Sequence, residues 1–126
     1  MGNTLIKISV VYFMIGILFG LYMSVFHIFN LATVHVHLNL LGWMSLALVG
    51  VLYNLYPHLS QTKAAKTHFW MHNVGLPMMM IFIALGILTM IPLFFLLATV
   101  GGAVTVIGIF FFGINVLRHL NNEANA

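Results

Sequence analysis

Histidines are the main side chains in this sequence that could do chemistry, because its 126 residues include seven histidines but one acidic residue and no cysteine. Two of them, His35 and His37, stand two positions apart in the segment VHVHLN. On an α-helix this spacing rotates the side chains by about 200°, so the rings point to nearly opposite faces. They cannot hold one ion together, but each can serve its own site. Neutral imidazole ligates haem iron and copper.

The remaining histidines are predicted to lie at different depths. His27 is near the outer end of the first apolar stretch, where it would be interfacial or would complete a ligand set. His68 and His72 are spaced i,i+4 and share a helix face, a spacing that can bind a metal. For His72 a structural role is favoured, with metal ligation as the alternative. His58, His68 and His119 are predicted to be solvated at a membrane boundary.

The other residue types narrow the choice of metal. Without cysteine there are no disulfides, iron–sulfur ligands, thiolate zinc sites or covalently attached c-type haem. With one acidic residue, sites for Ca²⁺ or Mg²⁺ are disfavoured. Residues 78–80 are three consecutive methionines, whose thioethers suit Cu(I). Consecutive side chains point three ways on a helix, so core filling is favoured, and copper is the weaker alternative to haem.

The composition indicates a membrane protein. Hydrophobic residues make up 63% of the sequence and charged residues 4%, whereas soluble domains carry about 25% charged residues. So few charges exclude a soluble globular protein, and the apolar content excludes disorder. The four bases, Lys7, Lys63, Lys66 and Arg118, are scattered. They therefore do not form a nucleic-acid-binding patch.

Four apolar stretches are long enough to cross a bilayer, which takes roughly 20 residues. They cover residues 6–29, 34–56, 68–90 and 93–117, and they predict an all-α, four-helix integral membrane protein forming a single domain over residues 1–126. The connections are predicted to be a tight turn at 30–33, a longer polar loop at 57–67 and a very short link at 91–92. The polar tail, 121–126, is expected to fray.

The bases also predict an orientation. In an up-and-down arrangement of four spans, all four bases fall on one side of the membrane, and the turns on the other side carry none. By the positive-inside rule, both termini face the cytoplasm. We therefore expect a multi-pass protein of the bacterial cytoplasmic (inner) membrane. Close helix contacts, within one chain or between chains, are predicted at small residues spaced four apart: Gly16, Gly20, Ala98 and Gly102.

Three segments resemble subunit I of the haem–copper oxidases, including the nitric-oxide-reductase-like branch and short subunit-I-like proteins. They are HVHLNLLGW at 35–43, HFWMHNVGLP at 68–77 and GLYM at 20–23. The resemblance implies that the chain is equivalent to one four-helix arc of the twelve-helix subunit. It also implies that His35 and His37 ligate two haems on opposite faces of the second helix, with Asn39 and Trp43 in the cofactor site.

The chain departs from that family in several ways. It has no helix with the three copper-binding histidines, no tyrosine placed for a His–Tyr cross-link and no line of intramembrane acids for a proton channel. The outer-side arginines that hold haem propionates are also missing. Asn30, Thr33, Asn39 and helix N-termini would have to take over that role. Complete oxygen reduction by this chain alone is therefore not expected.

The favoured hypothesis is a membrane haem b protein that transfers electrons or binds a diatomic gas, working with a respiratory-chain redox partner. The alternatives are a cofactor-free structural or assembly partner of a respiratory complex, and a copper-handling membrane protein.

Because the rings of His35 and His37 face apart, one chain supplies two imidazoles to one haem only if another histidine, such as His27, takes part. A ring of three chains would let His35 meet a neighbour's His37 across a haem. We therefore predict a homotrimer.

Overall fold

The computed structural model describes residues 1–121, and within that range it contains helices and no strands. Four helices are long and apolar enough to cross a membrane: α1 (Gly2–Phe26), α2 (Ala32–Leu55), α3 (Lys63–Thr89) and α4 (Pro92–His119). The prediction of an all-helical chain with four candidate spans is confirmed. Apart from Asn121, the tail that was expected to fray lies outside the described residues.

The first helix ends earlier than the hydrophobic pattern predicts. Residue His27 has φ 53° in the left-handed region, and its N–H bonds to the carbonyl of Met23. This C-cap closes α1 at Phe26 because the left-handed conformation cannot continue a right-handed helix. His27 therefore follows the helix as an exposed residue. This position at the helix end agrees with the interfacial placement predicted for His27, although the helix stops three residues before the predicted bound at residue 29.

The connection between α2 and α3 is shorter and more ordered than predicted. Pro57–Gln61 form a 3₁₀ turn, and α3 begins at Lys63. Thr62 caps α3, since its hydroxyl oxygen accepts a hydrogen bond from the N–H of Ala65 at 3.0 Å. The last part of the predicted loop is therefore the first turn of a helix.

The second helix changes its winding midway. Residues Ala32–His37 are α-helical, Leu38–Ser45 are wound as a π-helix, and Leu46–Leu55 return to α-helix. A π-turn takes more residues than an α-turn, and such segments are common at functional sites. The Ser45 hydroxyl donates to the Leu40 carbonyl, five residues earlier, at 2.8 Å. The wider turn changes which face the second half of α2 presents relative to His35 and His37.

Glycines bring the helices together in antiparallel pairs. Gly2, at the start of α1, lies against Gly50 near the end of α2, whereas α3 and α4 approach closely at Gly75 and Gly101. A Cβ at Gly101 would lie 2.6 Å from the backbone nitrogen of Met79, so no larger residue fits there without a shift of the backbone. Antiparallel pairing places the start of α1 and the end of α4, and with them Lys7, Lys63, Lys66 and Arg118, at one end of the bundle.

The predicted small-residue motifs serve contacts within the chain. Gly16 accommodates the side chain of Asn39, Gly20 accommodates the ring of His35, and Gly102 contacts Met79. The sequence left open whether these residues join helices of one chain or of several. The observed packing occupies Gly16 and Gly20 with side chains of α2, so these two glycines serve contacts within one chain.

Candidate functional site

His37 is held by its own helix with its ring partly exposed. Its Nδ1 lies 2.8 Å from the carbonyl oxygen of Thr33, one turn earlier. A carbonyl can only accept, so Nδ1 carries a proton, and in the neutral ring Nε2 keeps its lone pair. Metal-ligating histidines commonly donate their other ring N–H to a backbone carbonyl, which fixes the tautomer and the ring orientation. His37 therefore has the tautomer that a metal ligand needs.

His35 is fixed in the same tautomer but by a different helix. Its Nδ1 donates to the Gly16 carbonyl of α1 at 2.8 Å. The ring packs on Gly20, where a Cβ would lie 2.8 Å from Cε1 of His35. Glycine is needed at that position because a larger residue would displace the imidazole. His35 thus faces α1 and His37 does not, in agreement with the predicted divergence of the two rings.

The two other residues predicted at the cofactor site also face α1. Asn39 donates from Nδ2 to the carbonyl of His35 at 2.8 Å and lies against Gly16. Trp43 stacks on Phe13 with ring centroids 4.7 Å apart. Asn39 is therefore placed to steady the backbone at His35, and Trp43 contributes to the contact between α1 and α2.

The remaining candidate ligands lie apart from this pair. His27 is exposed at the end of α1, and His72 is fully buried in α3. Within residues 1–121 no group of three histidine, aspartate or glutamate side chains lies close enough to hold a metal ion. None of four recesses on the described part of the chain is lined by His35 or His37. A cofactor at these histidines would therefore lie on the outside of one chain.

A second histidine site lies inside the bundle. Nε2 of His72 is 3.1 Å from the carbonyl oxygen of Leu41, in the π-wound segment of α2. Nδ1 of His72 is 3.2 Å from Nε2 of His68. Both histidines are fully buried. The prediction that His68 is solvated at the membrane boundary is wrong, because the helix turns that side chain toward α2 and α4.

The direction of each hydrogen bond in this pair can be assigned from the carbonyl. His72 must donate from Nε2 to Leu41, so in the neutral ring Nδ1 is the acceptor. His68 then donates from Nε2, which leaves its Nδ1 as a bare acceptor. That nitrogen is buried and has no hydrogen-bond partner. The i,i+4 spacing was the sequence signal for this pair, but it did not indicate the Leu41 carbonyl or the burial.

Polar contacts also join the helices at the end of the bundle where α1 begins and α4 ends. Asn115 of α4 donates to the Leu59 carbonyl at 2.9 Å and accepts from the Thr62 hydroxyl at 2.8 Å. His58 donates from Nε2 to the backbone carbonyl of His119 at 2.9 Å. The interfacial placement predicted for His58 and His119 agrees with their partial exposure. These contacts hold the 3₁₀ turn against α4, and we assign them a structural role rather than a role in ligand binding.

No model of a known protein family, no curated protein and no solved structure matches this chain.

Proposed function

We propose that this protein binds haem b through His35 and His37 and transfers electrons or binds a diatomic gas in a membrane. The observation that carries the proposal is the tautomer shared by the two histidines. Each donates from Nδ1 to a backbone carbonyl at 2.8 Å and so keeps the Nε2 lone pair for iron. The resemblance of residues 35–43 to haem–copper oxidase subunit I points to the same pair.

The surroundings suit a porphyrin better than a hard metal ion. Many exposed side chains on α1 and α2 are large and apolar, among them Leu18, Leu21, Val36 and Leu40. Apolar surface can cover the faces of a porphyrin, and two imidazoles can ligate its iron without any carboxylate. A bound haem would supply one-electron redox chemistry or a gas-binding iron. This chain would supply the ligands, their orientation and an apolar environment.

The proposed assembly is a homotrimer with haems between the chains. His35 faces α1 of its own chain, and His37 lies on the opposite side of α2. The two rings of one chain therefore cannot ligate the same haem iron. In a threefold ring, His35 of one chain and His37 of the next can approach a shared haem from opposite sides. Such a trimer would hold up to three equivalent haems.

The absorption spectrum of the purified protein tests the cofactor. We expect a reduced spectrum of six-coordinate haem b, and either His35→Ala or His37→Ala should reduce haem content or convert it to five-coordinate haem. His119→Ala is the matched control, because that histidine lies at the other end of the bundle. A colourless, metal-free protein would favour the structural role, and bound copper without haem would favour copper handling. An unchanged haem spectrum in both variants would exclude this pair as ligands.

Native mass spectrometry in mild detergent tests the assembly. We expect three chains carrying up to three haems. A haem-loaded monomer, or a dimer with one haem, would contradict the trimer while leaving the cofactor proposal intact. Loss of both haem and trimer in His37→Ala would indicate that the haems hold the chains together.

A further inference from the structure

A recess of about 250 Å³ lies where α2, α3 and α4 meet, and it is separate from His35 and His37. Leu48, which is 60% exposed, is part of its lining, so the recess opens toward the lipid-facing side of the bundle. Most of the wall is apolar, but three lining residues are polar, and these are the ones that would decide what binds. The principal lining residues are Ser45, Leu52, His68, His72, Ile109 and Phe112.

The polar atoms of this wall are acceptors whose own hydrogens are already used. The Ser45 hydroxyl donates to the Leu40 carbonyl, so its oxygen keeps free lone pairs. His72 donates to Leu41, and His68 donates to His72. The remaining ring nitrogen, Nδ1 of His68, is a buried acceptor without a partner. A buried polar atom of this kind calls for an explanation, and a bound donor would satisfy it.

We infer that the recess is a binding site for a neutral, membrane-soluble molecule with one aromatic ring and a hydroxyl donor, that is, a phenol. The recess, at about 250 Å³, has room for one aromatic ring, because an apolar cavity of about 150 Å³ is enough to bind benzene. Because the polar atoms of the wall can only accept hydrogen bonds, they favour a ligand that carries a hydrogen-bond donor. The absence of charged side chains from the lining selects a neutral molecule.

The two acceptors differ in how a ligand reaches them. Ser45 is partly exposed and can accept directly. His68 Nδ1 is covered by its neighbours, so a hydroxyl reaches it after a small rotation of the imidazole or of Phe112, whose ring centroid lies 5.3 Å from that of His68. This inference does not rest on the haem proposal, since the recess uses other residues on other faces.

Binding of phenol and anisole to the purified protein in detergent tests the inference. Anisole has a similar size but no donor. We expect phenol to bind about two- to tenfold more tightly, the range that one net hydrogen bond provides. The preference should weaken in Ser45→Ala and His68→Phe. Leu52→Trp should abolish binding of both by filling the recess, whereas Leu55→Trp, at a position 66% exposed and outside the lining, should not.

The nitrogen-15 resonance of His68 Nδ1 in the unaltered protein provides a second measurement that needs no variant to fold. It should shift with phenol and not with anisole. Equal binding of the two probes would overturn the inference. So would binding that survives Leu52→Trp, or a phenol preference that persists when Ser45→Ala and His68→Phe are combined. The experiment gives the same answer with or without haem, so its failure is distinguishable from failure of the haem proposal.

Discussion

Nε2 of His72, in the buried interior of α3, lies 3.1 Å from the carbonyl oxygen of Leu41 in the π-wound segment of α2. This side-chain hydrogen bond joins the pair formed by α1 and α2 to the pair formed by α3 and α4. The contact orients His72, and through it the hydrogen bond from His68. The Leu41 carbonyl therefore determines which nitrogen of each buried, neutral histidine carries a proton.

Nitrogen-15 NMR of the metal-free protein should show that the four histidines fall into two groups with different tautomers. His35 and His37 should be protonated at Nδ1, because each donates from that atom to a carbonyl. His68 and His72 should be protonated at Nε2, because the donor direction runs from His68 through His72 to the Leu41 carbonyl. Protonation of His72 at Nδ1 would contradict both the assigned direction and the acceptor character of the recess.

Gly101→Ala should destabilise the protein by about 1–3 kcal/mol, since a Cβ there would lie 2.6 Å from the backbone nitrogen of Met79 and force α3 and α4 apart. Gly113→Ala is the control, because nothing lies within 4 Å of its added Cβ. In that variant the better helix propensity of alanine should raise stability by up to about 1 kcal/mol. Unfolding in a denaturing detergent measures both. Equal effects would show that α3 and α4 do not pack as described.

Asn115→Ala should cost about 1–3 kcal/mol, because it leaves the Leu59 carbonyl and the Thr62 hydroxyl without their amide partner. Asn3→Ala provides the matched comparison, since its hydrogen bond with Asn54 is exposed and its loss should change stability little. The same unfolding experiment compares the two. A smaller loss for Asn115→Ala than for Asn3→Ala would contradict the burial of this contact.

Labelling of single cysteines should give the orientation, because the chain has no cysteine of its own. Asn30→Cys, between α1 and α2, should react with an impermeant reagent added outside the cell. Ser60→Cys, between α2 and α3 at the end that carries the lysines, should react only after the membrane is opened. This outcome follows from the positive-inside rule. The opposite pattern would invert the proposed topology.

The amino-acid sequence by itself determined the helical, membrane-spanning character of the chain. Runs of about 20 apolar residues leave a chain few structural choices, since in lipid every backbone group must bond within its own helix. The opposed directions of His35 and His37 were also predictable, because two residues on one helical turn are related by local geometry alone. Both features depend on residues close together in the chain.

The tertiary structure decided what depends on neighbouring helices. The burial of His68, the Leu41 carbonyl that orients His72 and the use of Gly16 and Gly20 within one chain each require knowing which face meets which helix. The π-winding at Leu38–Ser45 and the left-handed cap at His27 also lay beyond the hydrophobic pattern. A pattern of apolar residues in a membrane helix does not separate lipid-facing from protein-facing sides, because both are apolar. Only the packed helices make that distinction.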